Sequence, residues 1–322
     1  MHQETVVSLD PECHPIVIDT DPGIDDVVTL ALAARSAKLD VLAVTTSYGN
    51  APLHMTTRNA VEVLRLAGRS DIAVLPGSAS PLTRPLVTAP ETHGETGVGY
   101  APVPDSAPSD VRHNARVLID VLSATPCPLT LVTLGPLTNL AHALKADAPL
   151  VKARVGQHIG MFGTVGERGN SNHWADFNAW CDPEGTELVL RAGLNTRMVG
   201  LDVTRRMTLS ASEVGEFASS QDPLLNWLGK ALQFYVEAYR SRARLDGCVL
   251  NDVLPVGELI APGLLTWDTL FMSVDLDDGE HRGHTRAHPT GISTRVASEV
   301  DVNLLRGILD TLFGDGWSAQ KR

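Results

Sequence analysis

Residues 19–26 read Asp19-Thr20-Asp21-Pro22-Gly23-Ile24-Asp25-Asp26, four carboxylates within eight positions. Like charges this close repel one another unless a cation or a polar ligand compensates them. A hard divalent cation is the economical compensator, and Ca²⁺ takes about 6–8 oxygen ligands, carboxylates among them. The plainer alternative is a solvated acidic turn whose Asp residues are favoured by a helix dipole. The flanks argue against it. Ile16-Val17-Ile18 is a β-branched apolar run that reads as a buried strand. Pro22-Gly23 is turn chemistry, and residues 27–34 read as a helix. The acids therefore gather at the carboxyl end of a strand, where open α/β sheets place their ligand sites.

The elements that must hold such a site alternate in type through the first two thirds of the chain. Strands are expected at residues 41–46, 73–75, 129–134, 158–161 and 196–201. Helices are expected at 56–68, 114–124, 137–146 and 183–192, the first with Ala60, Val63, Leu64 and Ala67 on one face. Repeated β-α-β units predict an α/β fold with a single open, mainly parallel sheet and helices on both faces. Two stretches break the rhythm. Residues 76–110 are rich in Pro, Ser and Thr and carry His93-Gly94-Glu95-Thr96-Gly97-Val98-Gly99; a loop that long in a compact domain is usually functional or disordered. Residues 213–245 form long helical patterns, and the regions 270–276 and 291–302 read as strands that can pair antiparallel.

Bulk properties remove several classes of function. The 322-residue chain is 43% hydrophobic and 20% charged, which suits a globular protein with a full core. A net charge of −12 argues against a nucleic-acid partner, which needs a basic footprint. No apolar run reaches the ~18–20 residues of a membrane span. Residues 1–15 lack a basic n-region and an apolar h-region, so no signal peptide is expected. Cys13, Cys127, Cys181 and Cys248 have no metal or redox spacing, consistent with reduced thiols and a cytoplasmic location. The expected organisation is an N-terminal extension (1–15), one domain (16–314) and a C-terminal tail (315–322).

The octet resembles the N-terminal signature of the nucleoside hydrolases, the inosine–uridine-preferring family. The resemblance continues in one order to about residue 305. It runs through Tyr48-Gly49-Asn50, Thr57-Arg58-Asn59-Ala60 and His93-Gly94. It takes in Leu134-Gly135-Pro136-Leu137-Thr138-Asn139, then Met161-Phe162-Gly163, Gly169-Asn170, Asp176-Phe177-Asn178 and Asp182-Pro183-Glu184, and ends at Asn251-Asp252. The octet alone is moderately specific; the series in register is far more so.

The resemblance implies a Rossmann-like architecture and Ca²⁺-dependent hydrolysis of the N-glycosidic bond of ribonucleosides. It implies Asp21, Asp26, Asp252 and the Leu134 carbonyl as metal ligands, with Asp21 also the general base. Asp25, Asn50, Asn170, Asp176 and Asn178 carry over as ribose partners, beside Met161. Phe177, Tyr235 and Tyr239, with Trp174 and Phe234, are candidate neighbours of the base, since aromatic faces stack on nucleobases. The resemblance also implies a homodimer or homotetramer. Two departures stand out. The position before the last metal-ligating Asp is often His in the family, where it can protonate the leaving base; here it is Asn251, which cannot act as an acid. His93 is then the substitute. The acid usually present as Glu is Asp176, one methylene shorter. Two other classes are weighed against this one. Asp19-Thr20-Asp21 mimics the nucleophile motif of haloacid-dehalogenase phosphatases, but that class needs a later Lys and a second acidic pair. A catalytically impaired nucleoside- or ribose-binding protein would explain Asn251 but would have no use for a full set of metal ligands.

Overall fold

The computed structural model describes residues 14–104, 111–125 and 127–314. Eleven strands appear among them: β1 (His14–Thr20), β2 (Leu39–Thr46), β3 (Ala73–Pro76), β4 (Leu129–Thr133), β5 (Val155–Met161), β6 (Thr196–Val199), β7 (Thr208–Ser210), β8 (Gly247–Val249), β9 (Leu265–Val274), β10 (Thr285–Ala287) and β11 (Ile292–Val300). The helices are α1 (Ile24–Arg35), α2 (Leu53–Leu66), α3 (Pro90–His93), α4 (Val117–Ala124), α5 (Thr138–Arg154), α6 (Phe177–Cys181), α7 (Pro183–Arg191), α8 (Leu201–Thr204), α9 (Ala211–Ala218), α10 (Pro223–Ala243), α11 (Val253–Ile260) and α12 (Val302–Phe313). Nine strands form one sheet in the order β10-β9-β11-β6-β5-β4-β1-β2-β3. The run from β11 to β3 is parallel throughout, while β9 runs antiparallel to both β11 and β10. Strands β7 and β8 pair as a separate ribbon.

The parallel strands are buried on both faces, so they carry near-continuous apolar runs rather than alternating ones. In β1, Ile16 and Ile18 pack into the core on one face, with α1, α10, α11 and α12. Val17 packs into the other, with α4, α5 and α7. That is the period of two expected of a strand. Each such fully buried side chain contributes about 1.5–3 kcal/mol, so the strand that ends in the acidic octet is firmly held. Helix α1 is buried from Ile24 to Ala34. It contacts α2, α10, α11 and α12, which makes it an interior helix rather than an amphipathic surface one.

The order of the strands creates the site. The chain leaves β1 toward β2 and β3, then crosses back to place β4, β5 and β6 on the other side of β1. The crevice between the carboxyl ends of β1 and β4 is thus a topological switch point. Asp21 follows β1 there and Leu134 follows β4, and Leu134 N donates to Asp19 O at 2.8 Å.

Several boundaries differ from the sequence-based expectations. The helical stretch at 213–245 is two helices, because Ser210 with Glu213 caps α9 and Asp222 caps α10 ahead of Pro223. The expected long loop contains α3; its residues 105–110 lie outside the described residues. The helix expected from 114 begins at Val117. The helix expected to end at 146 is followed by a kink at Asp147 (φ −159°, ψ 82°) and a second segment containing Pro149, with Asp147 Oδ1 accepting from Leu150 N at 3.0 Å. The strand expected to reach 201 stops at Val199, where Gly200 caps α8. Among the described residues, no helix is long and apolar enough to cross a membrane.

One core residue gives the fold a pH signature. His158 on β5 is fully buried, with Nε2 2.9 Å from Thr133 Oγ1 on β4 and Nδ1 3.2 Å from Thr196 Oγ1 on β6. Burial pushes its pKa down to about 3. In the unfolded chain it takes up a proton below ~6.5, and in the fold it does not, so this residue's contribution to stability falls as pH drops from ~6.5 toward 3. We predict that His158 stays neutral at pH 5 by NMR of its ring nitrogens. We also predict that the stability advantage of wild type over His158→Gln shrinks by about 1 kcal/mol per pH unit between pH 6 and 4. A ring that titrates near pH 6.5 in the folded protein would overturn this.

Candidate active site

Four carboxylates meet at the switch point. Asp21 lies just beyond β1, Asp25 and Asp26 occupy the first turn of α1, and Asp252 immediately precedes α11. All four are at most 4% exposed. Unpaired carboxylates do not stay charged in such surroundings; burial raises their pKa and neighbouring charge raises it further. Burial, with the charge of Asp25, lifts Asp26 to about 6. Asp21 and Asp252 are pushed well above the usual carboxylate range by burial and by Asp26. Asp25, Asp26 and Asp252 each place an oxygen within 4.8 Å of the others'.

The local fold supplies partial compensation. Asp26 Oδ2 accepts from Gly23 N at 3.0 Å and from Asn50 Nδ2 at 2.9 Å, and its Oδ1 accepts from the Thr20 hydroxyl. Asp21 Oδ2 accepts from Asn50 N at 2.8 Å. The α1 dipole favours negative charge at its first turn. Asp21 Oδ1, by contrast, is buried and has no hydrogen-bond partner among the described residues. Two glycines close on this carboxylate. A Cβ at Gly49 would lie 1.9 Å from Oδ2, and one at Gly135 would lie 2.5 Å from Oδ1. A hard cation fits this donor set: several buried carboxylates with raised pKa values and one orphaned oxygen.

The sequence reading placed Asp21 with Asp26 and Asp252 on the metal and Asp25 on the sugar. Among the described residues, the carboxylates whose oxygens all lie within 4.8 Å of one another are Asp25, Asp26 and Asp252. Asp21 stands beside them, joined to Asp26 through Asn50. Asn50, read as a ribose partner, is the bridge between these carboxylates.

The wall toward β5 comes from α6 and the loop before it. Asp176 caps α6, with Oδ1 accepting from Gly163 N at 2.6 Å and Ala179 N at 2.9 Å and Oδ2 from Asn178 N at 3.1 Å. Burial raises its pKa, and these backbone donors oppose the rise. Asn178 Nδ2 donates to Leu134 O at 2.6 Å and to Met161 O at 2.9 Å, which brings three of the expected residues to one point. Asn170 is exposed and its Oδ1 accepts from Phe177 N at 2.8 Å, so it orders the loop that leads into α6.

The opposite wall comes from α3 and α10. His93 is 5% exposed, and its Nδ1 accepts from Ile24 N, at the start of α1, at 3.1 Å. That bond places the ring proton on Nε2. Burial lowers the His93 pKa against the opposing pull of Asp25 and Glu91, so the ring is neutral near pH 7. Its ring centroid is 5.1 Å from that of Tyr235, which meets Tyr239 edge-on at 5.0 Å. Burial raises both phenols. Asn251 donates to Asp25 Oδ2 from its backbone N at 3.3 Å and from Nδ2 at 3.1 Å, and its Oδ1 accepts from Thr204 Oγ1 at 2.9 Å. Phe234 packs edge-on against Tyr100, and Trp174 packs among His173, His281 and His284.

Sequence reasoning did not assign several supporting residues. Asp19, the first acid of the octet, is a buried scaffold carboxylate bound by the Thr45 hydroxyl and by Asn139 Nδ2, and burial lifts it to about 6. Asn59 Nδ2 donates to Pro22 O at 2.9 Å and Thr96 O at 2.8 Å, tying the octet to the His93 loop. Both lie in motifs already singled out. Thr204 lies in none.

The sequence profile of the inosine-uridine preferring nucleoside hydrolases matches residues 16–306. The chain is 36% identical over 304 residues to the non-specific ribonucleoside hydrolase RihC of Salmonella paratyphi B, covering 92% of this chain and 97% of that one. It is 33% identical over 273 residues to the pyrimidine-specific ribonucleoside hydrolase RihA of Photobacterium profundum, covering 84% and 87%. The fold superimposes on the purine-preferring ribonucleoside hydrolase of Gardnerella vaginalis with a TM-score of 0.86 at 28% identity, covering 95% and 99% of the two chains. A match across the whole described domain, together with a buried acidic site at the sheet's switch point, shows that this chain belongs to the inosine-uridine preferring nucleoside hydrolase family.

Proposed function

We propose that the protein hydrolyses the N-glycosidic bond of ribonucleosides, releasing ribose and free base, with Ca²⁺ held by Asp21, Asp26, Asp252 and the Leu134 carbonyl. The observation that carries this reading is the buried carboxylate group with its orphaned Asp21 oxygen, in a chain of this family. Ca²⁺, when bound, supplies charge compensation and makes a water molecule more acidic. The chain's own residues do the rest. Asp21, through its free Oδ1, takes the proton of the attacking water as general base. Asp25, Asn178 and Asp176 address the ribose hydroxyls, with Asn50 and Asn170 holding the surrounding loops in place. The negative charge of the Asp25 and Asp176 carboxylates favours the positive charge that develops on the sugar. Tyr235, Tyr239 and Phe177 flank the base. His93 offers its Nε2–H as a hydrogen-bond donor on the same side.

The relatives' specificities diverge between non-specific, pyrimidine-specific and purine-preferring. The ribosyl half of the substrate is therefore the part this reading fixes. A homodimer or homotetramer in the cytoplasm extends the same family reading, and sedimentation velocity tests the oligomer. Asn251, which cannot protonate a leaving group, favours one second reading: binding of nucleosides without turnover. A panel of purine and pyrimidine ribonucleosides, assayed for released base with metal content measured in parallel, separates the two. Binding by calorimetry with no base released would establish the second.

Two outcomes are expected. Asp252→Ala removes one hard ligand and unbalances the charge of the cluster; it should lose tightly bound Ca²⁺ and nearly all turnover while circular dichroism stays native. Full Ca²⁺ occupancy with normal turnover in that variant would refute the ligand set. Second, 2′-deoxynucleosides leave a buried sugar-binding group unpaired, a loss of roughly 1–3 kcal/mol. Their kcat/KM should be at least about tenfold lower than that of the ribonucleosides. Equal efficiency on the two sugars would remove Asp25 and Asn178 from the ribose site.

A further inference from the structure

Among the described residues, the Asp25 carboxylate takes its hydrogen bonds from Asn251 alone. Its Oδ2 takes both the backbone N–H and the side-chain Nδ2 of Asn251, at 3.3 and 3.1 Å. A carboxylate is acceptor-only when ionised, so the Asn251 amide must turn its NH₂ toward Asp25 and its carbonyl away. The carbonyl then points into protein, and Thr204 meets it there. Thr204 ends α8, is fully buried, and donates from Oγ1 to Asn251 Oδ1 at 2.9 Å. Tyr235 and the same Asn251 side chain are among the polar neighbours of the Tyr239 hydroxyl, which Asp25 also faces. One amide therefore links α8, the α1 acid and the α10 tyrosines, and Thr204 supplies the hydrogen bond that its oxygen needs.

We infer that Thr204 is a positioning residue for ribose recognition: through Asn251 it fixes which oxygen of Asp25 is left to meet the sugar. This inference rests on the proposed reading of Asp25 as a ribose partner. With Asn251 clamped on Oδ2, Oδ1 takes no hydrogen bond from the described residues and is left as the acceptor. Without the Thr204 hydroxyl, Asn251 Oδ1 becomes a buried acceptor with no donor. The amide then pivots to find one, and both of its contacts on Asp25 and Tyr239 loosen. Such a residue gives no signal in the sequence, because Thr204 lies 47 positions from Asn251 and outside every motif of the resemblance.

The test is steady-state kinetics of the Ca²⁺-loaded enzyme on a ribonucleoside and on its 2′- and 3′-deoxy counterparts. Thr204→Val keeps the side-chain shape and removes the hydroxyl. It should lower kcat/KM for the ribonucleoside about tenfold and narrow the ribo-to-deoxy ratio, whereas a purely structural role would leave the ratio unchanged. Thr204→Ser and Thr204→Ala both lose the methyl and differ only in the hydroxyl, so they decide the matter if Thr204→Val folds poorly: Ser should keep the wild-type ratio and Ala should not. Because Thr204 acts through Asn251, adding Thr204→Val to Asn251→Ala should bring no further loss. Equal behaviour of the Ser and Ala variants, an unchanged ratio in Thr204→Val, or additive losses in the double variant would each overturn the inference. Asp25→Asn separates the two levels. If it loses turnover while Thr204→Val and Thr204→Ala are silent, only the positioning role falls. If it retains turnover and ribose selectivity, the reading of Asp25 falls with it.

Discussion

The constraint on which this structure turns is the cost of holding four carboxylates together out of water. An isolated buried carboxylate neutralises rather than stay charged, and here burial and mutual repulsion act in the same direction on Asp21, Asp26 and Asp252. The chain meets the problem with local donors before any ligand is considered. The start of α1 gives Gly23 N and the helix dipole, β1 gives the Thr20 hydroxyl, and the loop after β2 gives both nitrogens of Asn50. These donors cover some oxygens and leave Asp21 Oδ1 bare. The remaining imbalance is what suits the site to a hard cation. The acids can be this crowded only because β1 is clamped on both faces by the core and because Gly49 and Gly135 let two loops approach without side chains.

The two halves of the site are built from different materials. The wall at α6 and the loop before it is tied together by side chains that bind the main chain. Asp176 takes three main-chain N–H groups, Asp202 takes those of Val165, Gly166 and Glu167, and Thr285 exchanges hydrogen bonds with both the N–H and the carbonyl of Thr164. The opposite wall is made of rings from α3 and α10, with Tyr235 meeting both His93 and Tyr239 at about 5 Å between centroids. Side-chain walls change by single substitutions. Under the proposed function this division accounts for relatives that share the ribonucleoside and differ in the base.

Much of this was legible in the chain. The β-branched run before the octet and the alternation of helix and strand gave a parallel α/β sheet, and the β9–β11 pair is antiparallel as the late strand patterns suggested. The motifs led to residues that do converge: Leu134, Met161 and Asn178 meet through one amide. What the sequence hid is of three kinds. Helix ends depend on caps such as Asp222 and Asp147, whose geometry a periodicity cannot see. Elements that pair far along the chain, such as the β7–β8 ribbon, have too few residues to show a pattern. Supporting contacts such as Thr204 with Asn251 or Asn59 with Thr96 join loops that only the fold brings together.

Under the proposed function, Asn251 in place of the histidine that the resemblance implies changes the division of labour. A histidine there can give a proton to the leaving base; the amide here instead holds Asp25 and is itself held by Thr204. His93, the replacement the sequence offers, is held below the usual imidazole range by burial and has Nδ1 committed to the backbone of α1, so its remaining Nε2 hydrogen is one to share rather than to release. General-acid assistance is worth about 10²–10⁴-fold in rate. Under the proposed mechanism that assistance is replaced by stronger stabilisation of the sugar's developing positive charge, which is what a more tightly oriented Asp25 provides. The exchange has a chemical consequence. Bond cleavage becomes sensitive to how well the base leaves unaided, so p-nitrophenyl riboside, whose leaving group needs no proton, is the substrate on which this active site operates with least handicap.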